Sequence, residues 1–248
     1  RAATFTRDAT SDYEHWLLDL LALEAGEEVL DMGCATGTLA VPLARAGHRV
    51  HGCDFAEAML AILDERAAAE HLPITSHLLA WEDDWEAAGL GTDSVDVAFA
   101  SRSLMAEAVG PFVAKLDSAA RSRAAVVVPA SLLPSRDPRL LTYLGRSAKR
   151  PRVVRDVTRA LTSLGRIPVV ATTRTFRPMR FSSVDEARAD LRRLAGPEPF
   201  TAREQRLFDA YSAQHIVRRA AESPSGETSQ VWVLDYALPV TWVFIGWR

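Results

Sequence analysis

The chain is poor in the residues that build covalent or metal-held frameworks. Only two cysteines, Cys34 and Cys53, occur among its 248 residues, too few for a disulfide scaffold or a cysteine-rich zinc site. No set of His, Asp or Glu has metal-ligand spacing, so no metal is expected. No apolar run approaches the roughly 20 residues that a membrane-spanning helix needs, and no N-terminal signal segment is legible. Repeats and low-complexity tracts are lacking too. These absences fit one compact chain of a reducing compartment, expected to be cytoplasmic, with no membrane partner. They say nothing of its oligomeric state.

The most informative segment starts at Glu28, where the run Val29–Leu30 leads into Asp31. The turn Gly33-Cys34-Ala35-Thr36-Gly37 follows, then a helical stretch from Thr38 to Ala46 and a second strand, His48–Asp54. Glycine adopts backbone angles that a β-carbon forbids and lets the main chain approach a ligand. Asp54 lies about 20 residues beyond the first glycine, at a strand tip, where an acid accepts hydrogen bonds from ribose hydroxyls. The spacing fails the dinucleotide fingerprint. A Gly-x-Gly-x-x-Gly pattern begun at Gly33 would need glycine at Ala35 and Thr38.

Asp31-x-Gly33-x-x-x-Gly37 resembles motif I of the class I S-adenosylmethionine-dependent methyltransferases, with Ala35 in place of the middle glycine. Phe55 to Leu60, after Asp54, resembles the D-x-S-x-x-M-L run that opens the family's next helix. Asp96 to Ser101 resembles its fourth strand. The matches cover residues 25–130, and the alternative is an ordinary βαβ unit with a structural glycine turn.

The resemblance implies a Rossmann-like seven-stranded, mostly parallel sheet with an antiparallel edge strand, helices on both faces and a mainly helical cover. It implies S-adenosyl-L-methionine as cofactor. Gly33, Cys34 and Gly37 are then expected to face its methionine part, Asp31 its amino group and Asp54 the ribose, with Phe55 covering the adenine. Trp81 and Glu82 are expected at the adenine amino group, or else Trp81 and Trp85 are core residues with solvated acids between them. Ser101 ends the fourth strand beside the cofactor. Ser103 and Arg102 read as lining the acceptor pocket, Arg102 equally as the partner of a carboxylate. Tyr143 and Arg180 are further acceptor-side candidates, and His15 and Tyr143 are candidates for a base.

Along the chain, Ser11–Leu23 reads as a helix with a Ser11/Glu14 capping box, Glu57–Glu70 as a long helix and Ile74–Leu79 as a strand. Ser94–Ala100 and Ala124–Pro129 read as strands around a helix at Gly110–Ala120. Short helices at Leu140–Leu144 and Val153–Leu164 precede a strand at Ile167–Phe176. Helices at Ser182–Ala195 and Thr201–Glu222 and strands at Gln230–Ala237 and Thr241–Trp247 complete the pattern. The expected organisation is a cofactor-binding core over 1–133, a basic helical elaboration over 134–166, and the remaining sheet strands with inserted helices over 167–248.

Charge is uneven. Arg136 to Arg180 holds twelve basic residues against Asp137 and Asp156, while the whole chain is −3. Arg152, Arg155 and Arg159 share one helical face by spacing. Such asymmetry suggests an anionic partner, or a basic face paired with acids elsewhere. The favoured expectation is methyl transfer to a small, anionic molecule. An RNA methyltransferase is the runner-up, disfavoured by the overall charge and the lack of an RNA-binding appendage. A methyltransferase-like binding protein without turnover is the third reading.

Overall fold

The computed structural model describes residues 12–104, 108–130, 135–147, 152–222 and 228–248. The chain divides into two units, Arg1–Val128 with Arg152–Thr173 and Trp242–Arg248, and Pro129–Pro151 with Arg174–Thr241.

In the first unit the inner strands carry apolar runs buried on both faces, while the edge strand over 74–78 has no buried residue. These are β1 (Glu28–Met32), β2 (Arg49–Asp54), β3 (Ile74–Leu78), β4 (Val95–Ser101) and β5 (Ala120–Pro129). Neighbours among them pair in parallel, with Asp31 opposite Gly52 on one side and Phe99 on the other. The seven-stranded sheet has the order β3-β2-β1-β4-β5-β10-β6, with β6 at Val169–Arg177 and β10 at Leu238–Trp247. The C-terminal strand thus enters between β5 and β6 and takes the penultimate place, leaving β6 at the edge.

Helices follow the apolar periodicity. On α1 (Asp12–Leu21), Tyr13, Leu17 and Leu21 form the buried stripe. Ser11, its expected cap, lies outside the described residues. The second helix, α2, begins at Ala40 rather than Thr38 because turns occupy the residues after Gly37, whose φ is +83°. α3 (Glu57–Glu70) ends where His71 adopts the left-handed conformation. α4 (Gly110–Ala119) and α6 (Val153–Ser163) pack on each other, and Gly165 stops the latter.

The second unit has its own core. β7 (Arg180–Phe181), β9 (Thr228–Leu234) and β8 (Ile216–Glu222) form a three-stranded sheet in that order. Its helices are α5 (Pro138–Leu144), α7 (Val184–Leu194) and α8 (Ala202–His215). Leu140, Leu191, Phe208 and Leu238 are among the buried residues that join them. The helix expected over Thr201–Glu222 therefore ends at His215. The β-branched pair Ile216–Val217 starts a strand instead, antiparallel to β9 from Ile216 opposite Leu234. Its N-terminus is a complete capping box between Thr201 and Glu204. β9 belongs to this small sheet rather than to the seven-stranded one.

Candidate functional site

The sheet changes winding direction between β1 and β4, the point at which parallel sheets leave a crevice at their carboxyl ends. The residues leaving those strands interlock. Gly33 has φ +84°, and a Cβ there would stand 2.2 Å from the Cβ of Ser103. Ser103 in turn donates from Oγ to the carbonyl of Met32 at 2.5 Å. Ser103 is therefore a brace for the glycine turn.

Four of the five N–H groups of this turn are spent internally. The N–H groups of Gly33 and Cys34 both reach the carbonyl of Cys53, at 2.7 and 3.0 Å. Ala35 N–H donates to Asp54 Oδ2 at 2.9 Å, and Gly37 N–H to the carbonyl of Cys34 at 2.9 Å. A phosphate-binding turn does the reverse and points its N–H groups at the ligand. This one leaves acceptors and carboxyl groups, a setting for a cation. The side chain of Cys34 is buried, and its sulfur lies where a Cβ on Gly52 would come within 3.1 Å. Burial, followed by the charges of Asp31 and Asp54, pushes both thiols up, so both cysteines stay neutral.

Asp31 is only 2 % exposed. Burial first, and the charge of Asp54 second, raise its carboxyl to about 7, against a smaller pull downward from Arg102. The folded state thus binds a proton more tightly than the unfolded chain across the interval from the ordinary 3.8 to about 7. Stability should then fall as pH rises through that interval and level off above it. A cationic ligand favours the ionised carboxyl, so its affinity should rise over the same interval. Asp31→Asn should flatten both profiles, which denaturation at pH 5 and pH 8 with and without ligand would measure. An unchanged slope in Asp31→Asn would assign the titration elsewhere.

Above Asp31 lies an aromatic and cationic cluster. Tyr13 of α1 is buried, its hydroxyl 2.7 Å from Ser101 Oγ. Arg102 has φ +62°, and its guanidinium stands 4.3 Å from the Tyr13 ring centre and 5.6 Å from that of Trp242. Burial raises the Tyr13 phenol above its ordinary value, with Arg102 opposing.

At the tip of β2, Asp54 is buried and uses both oxygens on backbone donors. Oδ2 holds Ala35 and Oδ1 holds Ala56 N–H, at 2.9 Å each. A carboxylate oxygen retains a second lone pair for a hydroxyl. Phe55 beside it is 78 % exposed, a large apolar surface next to a polar site. Trp81 packs its ring 5.2 Å from Phe112 and 5.6 Å from Trp85. Lys115 Nζ binds the carbonyls of Trp81 and Asp83 at 2.8 and 2.6 Å. Glu82 is exposed. Packing and loop anchoring account for Trp81 here.

Residues 29–122 match a protein-family model described as a methyltransferase domain. This part of the chain, less than half of it, is similar to a methyltransferase domain. Rabbit (Oryctolagus cuniculus) glycine N-methyltransferase is 34% identical over 99 residues, covering 36% of this chain and 34% of that protein. An uncharacterized protein of Haemophilus influenzae is 34% identical over 116 residues, 46% of this chain and 41% of its own length. The chain thus spans less than half the length of these curated relatives. Among solved structures, a putative methyltransferase from Bacillus halodurans has a TM-score of 0.58 at 14% identity, covering 96% of this chain and 99% of that one. The geranyl diphosphate C-methyltransferase of Streptomyces coelicolor has a TM-score of 0.53 at 14% identity, covering 95% and 79%. At such identities the shared feature is the fold.

The first unit holds Asp31, Gly33, Cys34, Gly37, Asp54, Phe55, Trp81, Glu82, Ser101 and Ser103. His15 is exposed on α1, on the side away from the buried Tyr13. Tyr13 and Arg102 carry the contacts instead. Tyr13 was legible as a polar-tipped aromatic on the buried stripe of α1, a position that calls for a partner. Tyr143 and Arg180 belong to the second unit. There the Tyr143 ring lies 5.0 Å from that of Tyr211, and Arg180 pairs with Val233 across the small sheet. Among the described residues no cluster could hold a metal, and no helix is long and apolar enough to cross a membrane.

The basic segment is divided between the units, and part of its charge is neutralised. Arg146 meets Glu204 at 2.6 Å, Arg166 meets Asp117 at 2.8 Å and Arg155 meets Asp156 at 3.1 Å. Arg152, just before α6, and Arg159 on it are exposed, and Lys149 and Arg150 lie outside the described residues.

Proposed function

We propose that this chain binds S-adenosyl-L-methionine and transfers its methyl group to a small, anionic molecule. The observation that carries the reading is the glycine turn with four of its five N–H groups turned inward beside the buried Asp31. That donor set rejects a pyrophosphate and suits an ammonium next to a sulfonium. Asp54 and the exposed Phe55 fit a ribose and an adenine ring. Bound there, the cofactor would supply an already activated methyl group. The chain's own task is then to hold the acceptor in line with the methyl–sulfur bond and to keep water away. Tyr13, Trp242 and Arg102 supply a stacked wall for that purpose. An anionic acceptor is supported by the excess of arginine after Asp137. The ion pairs of Arg146, Arg155 and Arg166 weigh against a continuous track for RNA.

Titration calorimetry tests the cofactor. Micromolar binding of S-adenosylmethionine or S-adenosylhomocysteine is expected, with affinity for NAD or NADP lower by more than about tenfold, or 1.4 kcal/mol. Preference for a nicotinamide cofactor would refute the reading. Labelled S-adenosylmethionine with pools of carboxylate and phosphate metabolites then identifies the acceptor.

A further inference from the structure

Parallel sheets are covered on both faces, so a bare apolar strand among them calls for a partner. β6, the last strand of the seven-stranded sheet, has no buried residue along its length. Its start is apolar all the same. Ile167, Val169 and Val170 are 85, 66 and 55 % exposed, and Leu164, just past α6, is 41 % exposed. These four aliphatic side chains fall between 164 and 170 and form a ridge in water, of a kind that monomeric proteins rarely leave uncovered. Beside the ridge lies a groove. It encloses about 400 Å³ between α4 and α6, where Gly110, Ala114 and Ala160 are too small to fill the space. Leu164 lines the groove and begins the ridge, so the two features share one wall.

We infer that this face binds a second copy of the same chain, with the ridge of each copy seated in the groove of the other. Because ridge and groove are neighbours on one surface, a two-fold axis beside Leu164 makes both contacts at once. Reciprocity also decides the area. Two such contacts approach the roughly 1,000 Å² that a specific interface needs, and one does not. Charge favours a copy of this chain over a partner of one sign. The charged residues of the groove are Asp156 and Arg159, one of each sign, so two copies meet without net like charge. Arg166, within the ridge segment, is already paired with Asp117. A nucleic acid or an acidic peptide would find little net charge to hold it. All of these residues lie in the first unit, and none belongs to the proposed cofactor site.

Sedimentation velocity on the whole chain, over a concentration series, tests this. The unaltered protein should dimerise reversibly in the micromolar range. Ile167→Asp, which breaks the ridge, and Gly110→Leu, which fills the groove, should each weaken dimerisation by at least about tenfold. Both should fold, since Ile167 is exposed and a Cβ on Gly110 would have no atom within 4 Å. Circular dichroism checks this, and the milder Ile167→Ala should weaken dimerisation by a smaller factor. An equimolar mixture of the two main variants is the decisive arm. It joins the intact ridge of Gly110→Leu to the intact groove of Ile167→Asp, so the mixed dimer should be tighter than either variant's own. No gain on mixing overturns the reciprocal seating. A protein still monomeric at about 100 μM, far above a micromolar Kd, or a dimer that both variants leave intact, overturns the inference as a whole.

Discussion

Gly33→Ala should abolish cofactor binding and lower the melting temperature by several degrees. The added methyl would require φ +84° of a residue with a β-carbon, at about 1–2 kcal/mol. It would also stand 2.2 Å from the Cβ of Ser103, next to the main chain and with no flexible end to move aside. Overpacking of this kind costs about 1–3 kcal/mol, so a total of about 2–5 kcal/mol is expected. The strain falls on the turn itself, which separates Gly33 from a general stability position. Gly37→Ala provides the comparison. Its methyl would meet Leu63 Cδ1, the end of a flexible side chain, at 2.4 Å, and should cost less despite a similar φ. Melting curves and calorimetry on the two variants decide the matter. Equal losses would show that backbone conformation alone, and not the Ser103 contact, sets the requirement.

Asp54→Ala should damage both fold and binding. Ala35 and Ala56 would each lose the acceptor of a part-buried N–H, at about 1 kcal/mol apiece. Loss of the proposed ribose contact should weaken binding by about 1.5–3 kcal/mol. Asp54→Asn keeps one oxygen and should cost about half as much in stability. It also removes a negative charge that raises the Asp31 carboxyl, so the pH at which Asp31 ionises should move down. A pH series of ligand affinity in Asp54→Asn reads this directly. An unshifted midpoint would mean that burial alone sets the behaviour of Asp31.

The parts of the site written in short, contiguous patterns were readable from the sequence. Asp31, Gly33, Gly37 and Asp54 fall in one strand–turn–helix–strand segment, where spacing alone fixes their neighbourhood. The direction of the turn's N–H groups was not readable. It depends on the carbonyl of Cys53, which the β1–β2 register brings opposite Met32. Arg102 and Tyr13 were each legible alone, but their stacking was not, since they meet only through the order of the sheet. At Ile216 local helical character carried the pattern too far, because pairing with β9 outweighs it. The helical pattern could not register a partner strand a dozen residues further on.

The sheet order has a consequence for biosynthesis. β3, β2, β1, β4 and β5 are contiguous in the first half of the chain, so the glycine turn, Asp31 and Asp54 can assemble early on the ribosome. β10 fills the place between β5 and β6, more than a hundred residues after β5. Until Trp242–Trp247 emerges, β5 keeps an unpaired edge and β6 has no neighbour to join. Trp242 arrives with that strand, and with it one ring of the wall that steadies Arg102. The nascent chain should therefore form the glycine turn with Asp54 before Trp242 reaches Arg102, and the unsealed edge of β5 would be the natural target for chaperones in the interval.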